Sequence, residues 1–337
     1  MTKFKLTMLT LVLFSSINVF SQENEEESGF TVTGSVDVYH TSNFKSGSPG
    51  SIGILYAGSA AANGFGLGMA NTVFSYEKGK SGVVADLAYG PRANAANAYE
   101  GAINQLYAYY KASDKVTLTL GQFNTFYGYE VISPSGNFNY SVSYLFNAGP
   151  FSHTGVKLDY AASEDLSFLL AVTNGHAISS SDANESGATQ FGAQVGYKGQ
   201  YLNFIYGAVD VPAAPTDAIF VDYTGGFDLS DSFYVGINAA YAYSDDAESG
   251  YQGAALYLEN TFSDTFALGL RPEFFSLTSA DDSQDVLALT LTGSAQLDDN
   301  LKLITELRYD SSDDYIIEGI AAEKNATALT IAAVYSF

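Results

Sequence analysis

The sequence predicts an all-β protein: a transmembrane, antiparallel, up-and-down β-barrel of about sixteen strands, with fourteen to eighteen compatible with the pattern. Three observations predict it. Hydrophobicity alternates with a period of two along most of the chain, as in strands with two unlike faces. Very short polar turns alternate with longer connections, the arrangement of periplasmic turns and extracellular loops in outer-membrane barrels. Charge is scarce: 15% of the 337 residues are Asp, Glu, Lys or Arg, against about 25% in soluble domains. The 25 Tyr, 23 Phe and 32 Gly suit apolar surface and tight turns.

Residues 1–21 read as a secretory signal peptide. MTKFK is a basic start, LTMLTLVLF a short apolar run, and SSINVFS leads to cleavage after Ser21. Lys3 and Lys5 leave with it, taking the formal charge from −23 to −25. No later stretch approaches the ~18 apolar residues of a membrane helix. An exported chain that then enters a membrane must do so as a closed barrel. Residues 22–29 (QENEEESG) form an acidic N-terminal segment, and 30–337 form the barrel.

The strands are expected at about 30–39, 65–77, 82–90, 102–111, 115–123, 152–161, 166–174, 189–198, 201–209, 218–227, 232–243, 251–262, 265–278, 286–297, 300–310 and 326–337. Alternation is weak in 65–77 and 102–111. It is clear in 116-VTLTLGQF-123, 166-LSFLLAVT-173, 191-FGAQVGYK-198 and 202-LNFIYG-207. In 232-SFYVGINAAYAY-243, Phe233, Val235, Ile237, Ala239, Tyr241 and Tyr243 oppose Tyr234, Gly236, Asn238, Ala240 and Ala242. Pro272 inside 265–278 removes a ladder donor and predicts a bulge or an edge-like irregularity. In 300-NLKLITELRYD-310, Leu301, Leu303, Thr305, Leu307 and Tyr309 share one face. The second face of these strands is rich in Gly, Ala, Ser, Thr and Asn. A soluble sandwich would bury the apolar face and expose one rich in Lys and Glu, whereas a membrane barrel turns the apolar face to lipid around a moderately polar lumen.

The last strand, 325-NATALTIAAVYSF-337, places Leu329, Ile331, Ala333, Tyr335 and Phe337 on the lipid side. An even strand count returns it beside the first strand and closes the edge. Tyr335 and Phe337 then join Tyr110, Tyr160 and Tyr197 at the periplasmic interface, with Tyr89, Tyr243 and Tyr309 at the outer one. A terminal aromatic strand ending in Phe337 also resembles the signal read by the barrel assembly machinery. The same parity turns Asp37, Asp86, Lys157, Asp159, Asp222, Glu259, Arg271, Glu273, Lys302, Glu306 and Arg308 into the lumen. Both signs occur, with an acidic balance that favours cations weakly.

The connection 124–151 is too long and too aromatic for a linker. The runs G-Q-F…Y-G-Y-E (121–130), N-Y-S-x-S-Y-L-F (139–146) and F-S-H-T-G-V-K (151–157) resemble the β-barrel porin-2 (OmpL-like) family, common in Bacteroidota. The resemblance implies a Gram-negative outer-membrane barrel with a channel role. In sixteen-stranded porins the third extracellular loop folds inward and narrows the pore. By that analogy 124–151 brings Tyr127, Tyr129, Glu130, Asn137, Asn139, Tyr140 and Tyr144 to the constriction. The alternative is a loop packed outward as a lid or a subunit contact.

The expected function is therefore passive diffusion of small hydrophilic solutes or ions, with outer-membrane lipid as solvent and a homotrimer as assembly. The alternative is an occluded barrel whose extracellular loops bind a ligand or partner. A TonB-dependent transporter needs ~22 strands and a plug, which the chain is too short to supply. The negative charge argues against nucleic-acid binding, and the absence of cysteine removes thiol chemistry. No cofactor or metal is expected. His40 and His176 lie at loop edges, and His153 cannot pair with Ser152 because neighbours on a strand point to opposite faces. No catalytic site is assigned. Asp281, Asp282 and Asp285, and Asp310, Asp313 and Asp314, are the acidic groups that come nearest to a cation site.

Overall fold

The computed structural model describes residues 28–44, 48–49, 63–96, 102–175, 188–209, 216–280, 282–312, 317–318 and 324–337. The expected signal peptide 1–21, nearly all of the expected acidic segment 22–29, His176, Asp281, Asp313 and Asp314 lie outside them. Sixteen strands close into one antiparallel barrel. They are β1 Ser28–Asn43, β2 Gly64–Lys78, β3 Ser81–Tyr89, β4 Ile103–Ser113, β5 Val116–Asn124, β6 Ser152–Ala161, β7 Leu166–Asn174 and β8 Thr189–Tyr197. The second half comprises β9 Gln200–Val209, β10 Thr216–Asp228, β11 Phe233–Ser244, β12 Ser249–Ser263, β13 Phe266–Ser279, β14 Asp282–Gln296, β15 Leu301–Ser312 and β16 Asn325–Ser336. Ser48–Pro49 pairs with Ile317–Glu318 outside the barrel. No helix among the described residues is long and apolar enough to cross a membrane.

Closure falls where the chain ends meet. β16 pairs with β1 from Ser35↔Ser336 to Asn43↔Ala328, and Gly34 and Phe337 exchange backbone hydrogen bonds of 2.9 and 3.0 Å. The faces alternate as the residues require. On β15 and β16 Leu307, Tyr309, Ile331 and Tyr335 are exposed, while Ile304, Ala332 and Val334 are buried. Tyr76, Tyr110, Tyr160, Tyr197, Phe262, Phe266 and Phe337 form an exposed aromatic girdle beside the short turns. Such an outer surface would be costly in water and is at home in lipid.

The two weakly alternating strands each carry an extra residue. Val36 pairs with Ala70 but Val38 with Leu67, so β2 bulges at Gly68–Met69, both buried. Asp86 pairs with Gln105 but Leu87 with Ile103, so Asn104 is extra on β4. An inserted residue shifts the parity of everything beyond it. Pro272 acts differently: the β12–β13 ladder lapses after Ala255↔Glu273 and resumes at Leu258↔Leu270 in the same register. The irregularity is there, without a bulge.

Candidate functional site: a strap in the lumen and the wall opposite it

The chain leaves β5 at Asn124 and returns at Ser152. Between them it runs down inside the barrel and back up. Going down, the Tyr127 hydroxyl donates to the Val221 carbonyl (3.4 Å), Gly128 N donates to Asp222 (3.2 Å), and the Tyr129 and Tyr234 hydroxyls meet at 3.0 Å. The tip holds a short 3-10 turn, Pro134–Gly136. Asn137 staples it by accepting from Val131 N and donating to Val131 O. Coming up, the strap ends in the short helix α2, Tyr144–Ala148, capped by the Ser143 hydroxyl on Phe146 N at 3.0 Å. On β15 its contacts reach from Lys302, which donates to Asn137 O at 3.3 Å, to Asp310, which accepts from the Tyr144 hydroxyl at 3.0 Å. Eight residues of strand span about 26 Å, or roughly 20 Å of depth at the usual tilt.

The strap is held by its backbone. The sequence contains three arginines, and each donates to one of three consecutive strap carbonyls. Arg92 reaches Tyr140 O (3.0 Å), Arg271 reaches Ser141 O (2.7 Å) and Arg308 reaches Val142 O (2.7 Å). Carboxylates take the matching N–H groups. Glu306 accepts from Tyr140 (2.9 Å) and Ser141 (3.2 Å), Glu130 from Ser143 (2.7 Å) and Glu273 from Leu145 (2.9 Å). Arg271 and Glu130 form an ion pair at 2.5 Å with side chains 0% and 2% exposed. Arg92 and Arg308 lie over the rings of Tyr140 and Tyr144. Asn139 donates to Thr292 at 2.7 Å, and the Tyr140 hydroxyl donates to Asp37. Burial, and then the Asp37 carboxylate, pushes that phenol well above its usual pKa and keeps it a donor.

Three wall glycines make room for strap rings. A Cβ at Gly192 would collide with the Phe126 ring, one at Gly236 with the Tyr129 ring, and one at Gly269 with the Phe138 ring.

Seven wall charges named from the sequence are thus buried rather than wet: Asp37, Asp86, Asp222, Arg271, Glu273, Glu306 and Arg308. All but Asp86 hold the strap or lie beneath it. Asp86 accepts from Asn71 (3.3 Å), Asn104 and Gln105 (3.4 Å) within the wall. Of the loop residues, Tyr127, Glu130, Asn137, Asn139, Tyr140 and Tyr144 are buried and Tyr129 is partly so. Their side chains are turned into the wall or into the strap itself.

The wall from β2 to β8 is different. Lys157 and Asp159 pair at 2.8 Å with side chains 22% and 38% exposed, and Lys111 and Glu77 pair at 2.6 Å with 42% and 23%. Tyr107 and Tyr109 stand half-buried beside them. A cavity of 180 Å³ opens there between Thr117, Asp159, Ser167 and Gln194. Glu259 and Lys302 are partly exposed.

His153 is buried, with Nε2 2.9 Å from the Thr125 hydroxyl and its ring stacked on Phe126 at 4.9 Å. His40 packs edge-on against Phe65. Asp310 is not a rim ligand but a buried partner of Arg308 Nε at 2.9 Å. No metal-binding group occurs among the described residues.

Parity located the wall charges but missed Arg92, which belongs to the extracellular helix α1, Pro91–Ala96. It also missed Thr292, Ser141 and Ser143. The usable signal was the rarity of arginine in a chain that has few cations to spend.

A closed sixteen-stranded barrel, apolar outside and crossed inside by a polar-anchored strap, is the architecture of an outer-membrane porin. Residues 29–337 match the family described as "Putative beta-barrel porin-2, OmpL-like", and the chain belongs to that family. Among solved structures it resembles the anion-selective porin from Comamonas acidovorans, at 12% identity and TM-score 0.65 over 92% of this chain and 100% of that one. It also resembles the outer membrane channel DcaP of Acinetobacter baumannii, at 11% identity and TM-score 0.62 over 95% and 100%. OmpT, an outer membrane protein of Vibrio cholerae described in a trimer form, follows at 10% identity and TM-score 0.60 over 92% and 99%. No curated protein matches the chain in sequence. The protein is a porin of the outer membrane.

Proposed function

We propose that this porin is a passive diffusion channel for small hydrophilic solutes or ions, narrowed by residues 124–151. The observation that carries the reading is the strap's anchorage: about 20 Å of lumen depth is filled on one side by backbone tied to buried Arg and Glu. The strap narrows the bore by occupying it, while its own tyrosines point away from the solute. Sieving is steric, without catalytic groups or a cofactor. The acidic balance of the chain, −23 before the leader is removed, supports a weak cation preference. The leader 1–21 is removed on export, Phe337 guides assembly by the barrel machinery, and the molecule assembles as a homotrimer, as the trimer form of its Vibrio fold neighbour suggests.

Liposome swelling with uncharged solutes of graded size tests the reading. Uptake that falls steeply with solute radius supports it. Liposomes that stay impermeable to the smallest solute, with folded protein inserted, favour an occluded barrel whose loops bind a partner.

A further inference from the structure

We infer that the solute-facing filter is the wall of β2 to β8, and that its accessible charges cancel within the wall. This rests on the channel reading above. The strap's own charged residue, Glu130, is 5% exposed and bound to Arg271, so it presents no charge to the bore. On the opposite wall, the accessible charges come in neighbouring couples of opposite sign. Lys157 and Asp159 are two residues apart on one strand, 2.8 Å between Nζ and Oδ2. Lys111 binds both Glu77 oxygens, at 2.6 and 2.7 Å.

The barrel register puts these groups side by side. Lys111 pairs with Thr117, which pairs with Asp159, and Tyr109 pairs with Thr119, which pairs with Lys157. Tyr107 and Tyr109 add two phenol rings 6.5 Å apart on the same strand. Such a surface offers paired donors, acceptors and ring faces but little net charge. It fits small polar solutes that are uncharged or zwitterionic, and it discriminates weakly between simple ions. The fixed dipole of the Lys157–Asp159 pair is the selectivity-determining element: removing either member leaves the other charge unopposed in the bore.

The test is the reversal potential of refolded protein in a salt gradient, for wild type, Lys157→Gln, Asp159→Asn and, as a control away from the filter, Asp298→Asn in a periplasmic turn. Wild type should lie close to zero on the cation side. K157Q should move further to the cation side, D159N should cross to the anion side, and D298N should stay with wild type. Because the chain has no cysteine, Asp159→Cys supplies a unique thiol. A cationic thiosulfonate should cut its conductance in one step, while Tyr140→Cys should not react. A conducting protein in which K157Q and D159N leave ion preference unchanged, or in which position 140 reacts and 159 does not, overturns this assignment while leaving the channel reading intact. A silent wild type overturns the channel reading itself.

Discussion

Arg271 shows what one residue does in this lumen. Its guanidinium satisfies Glu130, the Ser141 carbonyl and hydroxyl, and Thr290. Removing one member of a buried pair leaves the other charge uncompensated, which costs roughly 3–5 kcal/mol. Arg271→Met should therefore lower the urea midpoint of the refolded barrel, followed by the loss of compact gel mobility, and R271M/E130Q should recover part of the loss. Ile331 makes the opposite point on the outer face. It is 43% exposed, and in a water-soluble protein Ile331→Arg would be harmless. Facing hydrocarbon it should cost about 2–4 kcal/mol. An unchanged urea midpoint for I331R in lipid would mean that this face does not meet the acyl chains.

Single residues also mark what the sequence could disclose. The parity of Leu307, Tyr309 and Ile331 was legible because a strand with one lipid face repeats every second residue. Arg308 and Glu306 were legible as inward. What they touch was not, because alternation fixes a side chain's direction and not what lies in front of it. The three arginines and their three consecutive carbonyls meet across sequence separations of 48 to 166 residues, and no local pattern encodes that.

At the level of elements, β2 and β4 alternated weakly for a definite reason. Insertions fall at Gly68–Met69 on β2 and at Asn104 and Ala112 on β4, and an insertion reverses which residues face inward beyond it. Strands without insertions, such as β15 and β16, were readable almost to the residue. The strap was recognisable as unusual from its aromatic and asparagine content, but its path down β10–β12 and up β15 depends on partners from strands far along the chain.

Deleting residues 130–145 removes Glu130 and the backbone that Arg92, Arg271 and Arg308 bind. The polar groups left behind then face a wet bore, where water replaces the lost partners at modest cost. The shortened protein should still give a compact, heat-shifted band on a gel, with larger single-channel conductance than the full chain. Equal conductance would show that the strap does not limit flow. Failure to refold would show that it is needed for closure, and Gly269→Val, which displaces the Phe138 ring while the strap stays in the chain, would then carry the test through noisier open-channel current.

The whole molecule reconciles an oily exterior with a polar interior. Lipid solvates Leu, Ile, Phe and Tyr outside; closure between Ser35 and Ser336 removes the last open edge; and the lumen accepts charges that neither water nor lipid on the outer face would stabilise in place. The interior is lopsided. One side is filled by the strap and its Arg–Glu anchors, and the other keeps accessible ion pairs beside a cavity. A channel of that cross-section should be narrow and weakly selective. Each subunit of a trimer should conduct separately, because the bore lies inside one chain.

Single-channel recording of the refolded protein in a planar lipid bilayer tests the central claim most directly. Discrete, ohmic steps, present in wild type and enlarged when residues 130–145 are removed, are the predicted result. Persistent electrical silence from inserted, heat-modifiable barrels, with and without the strap, would contradict it.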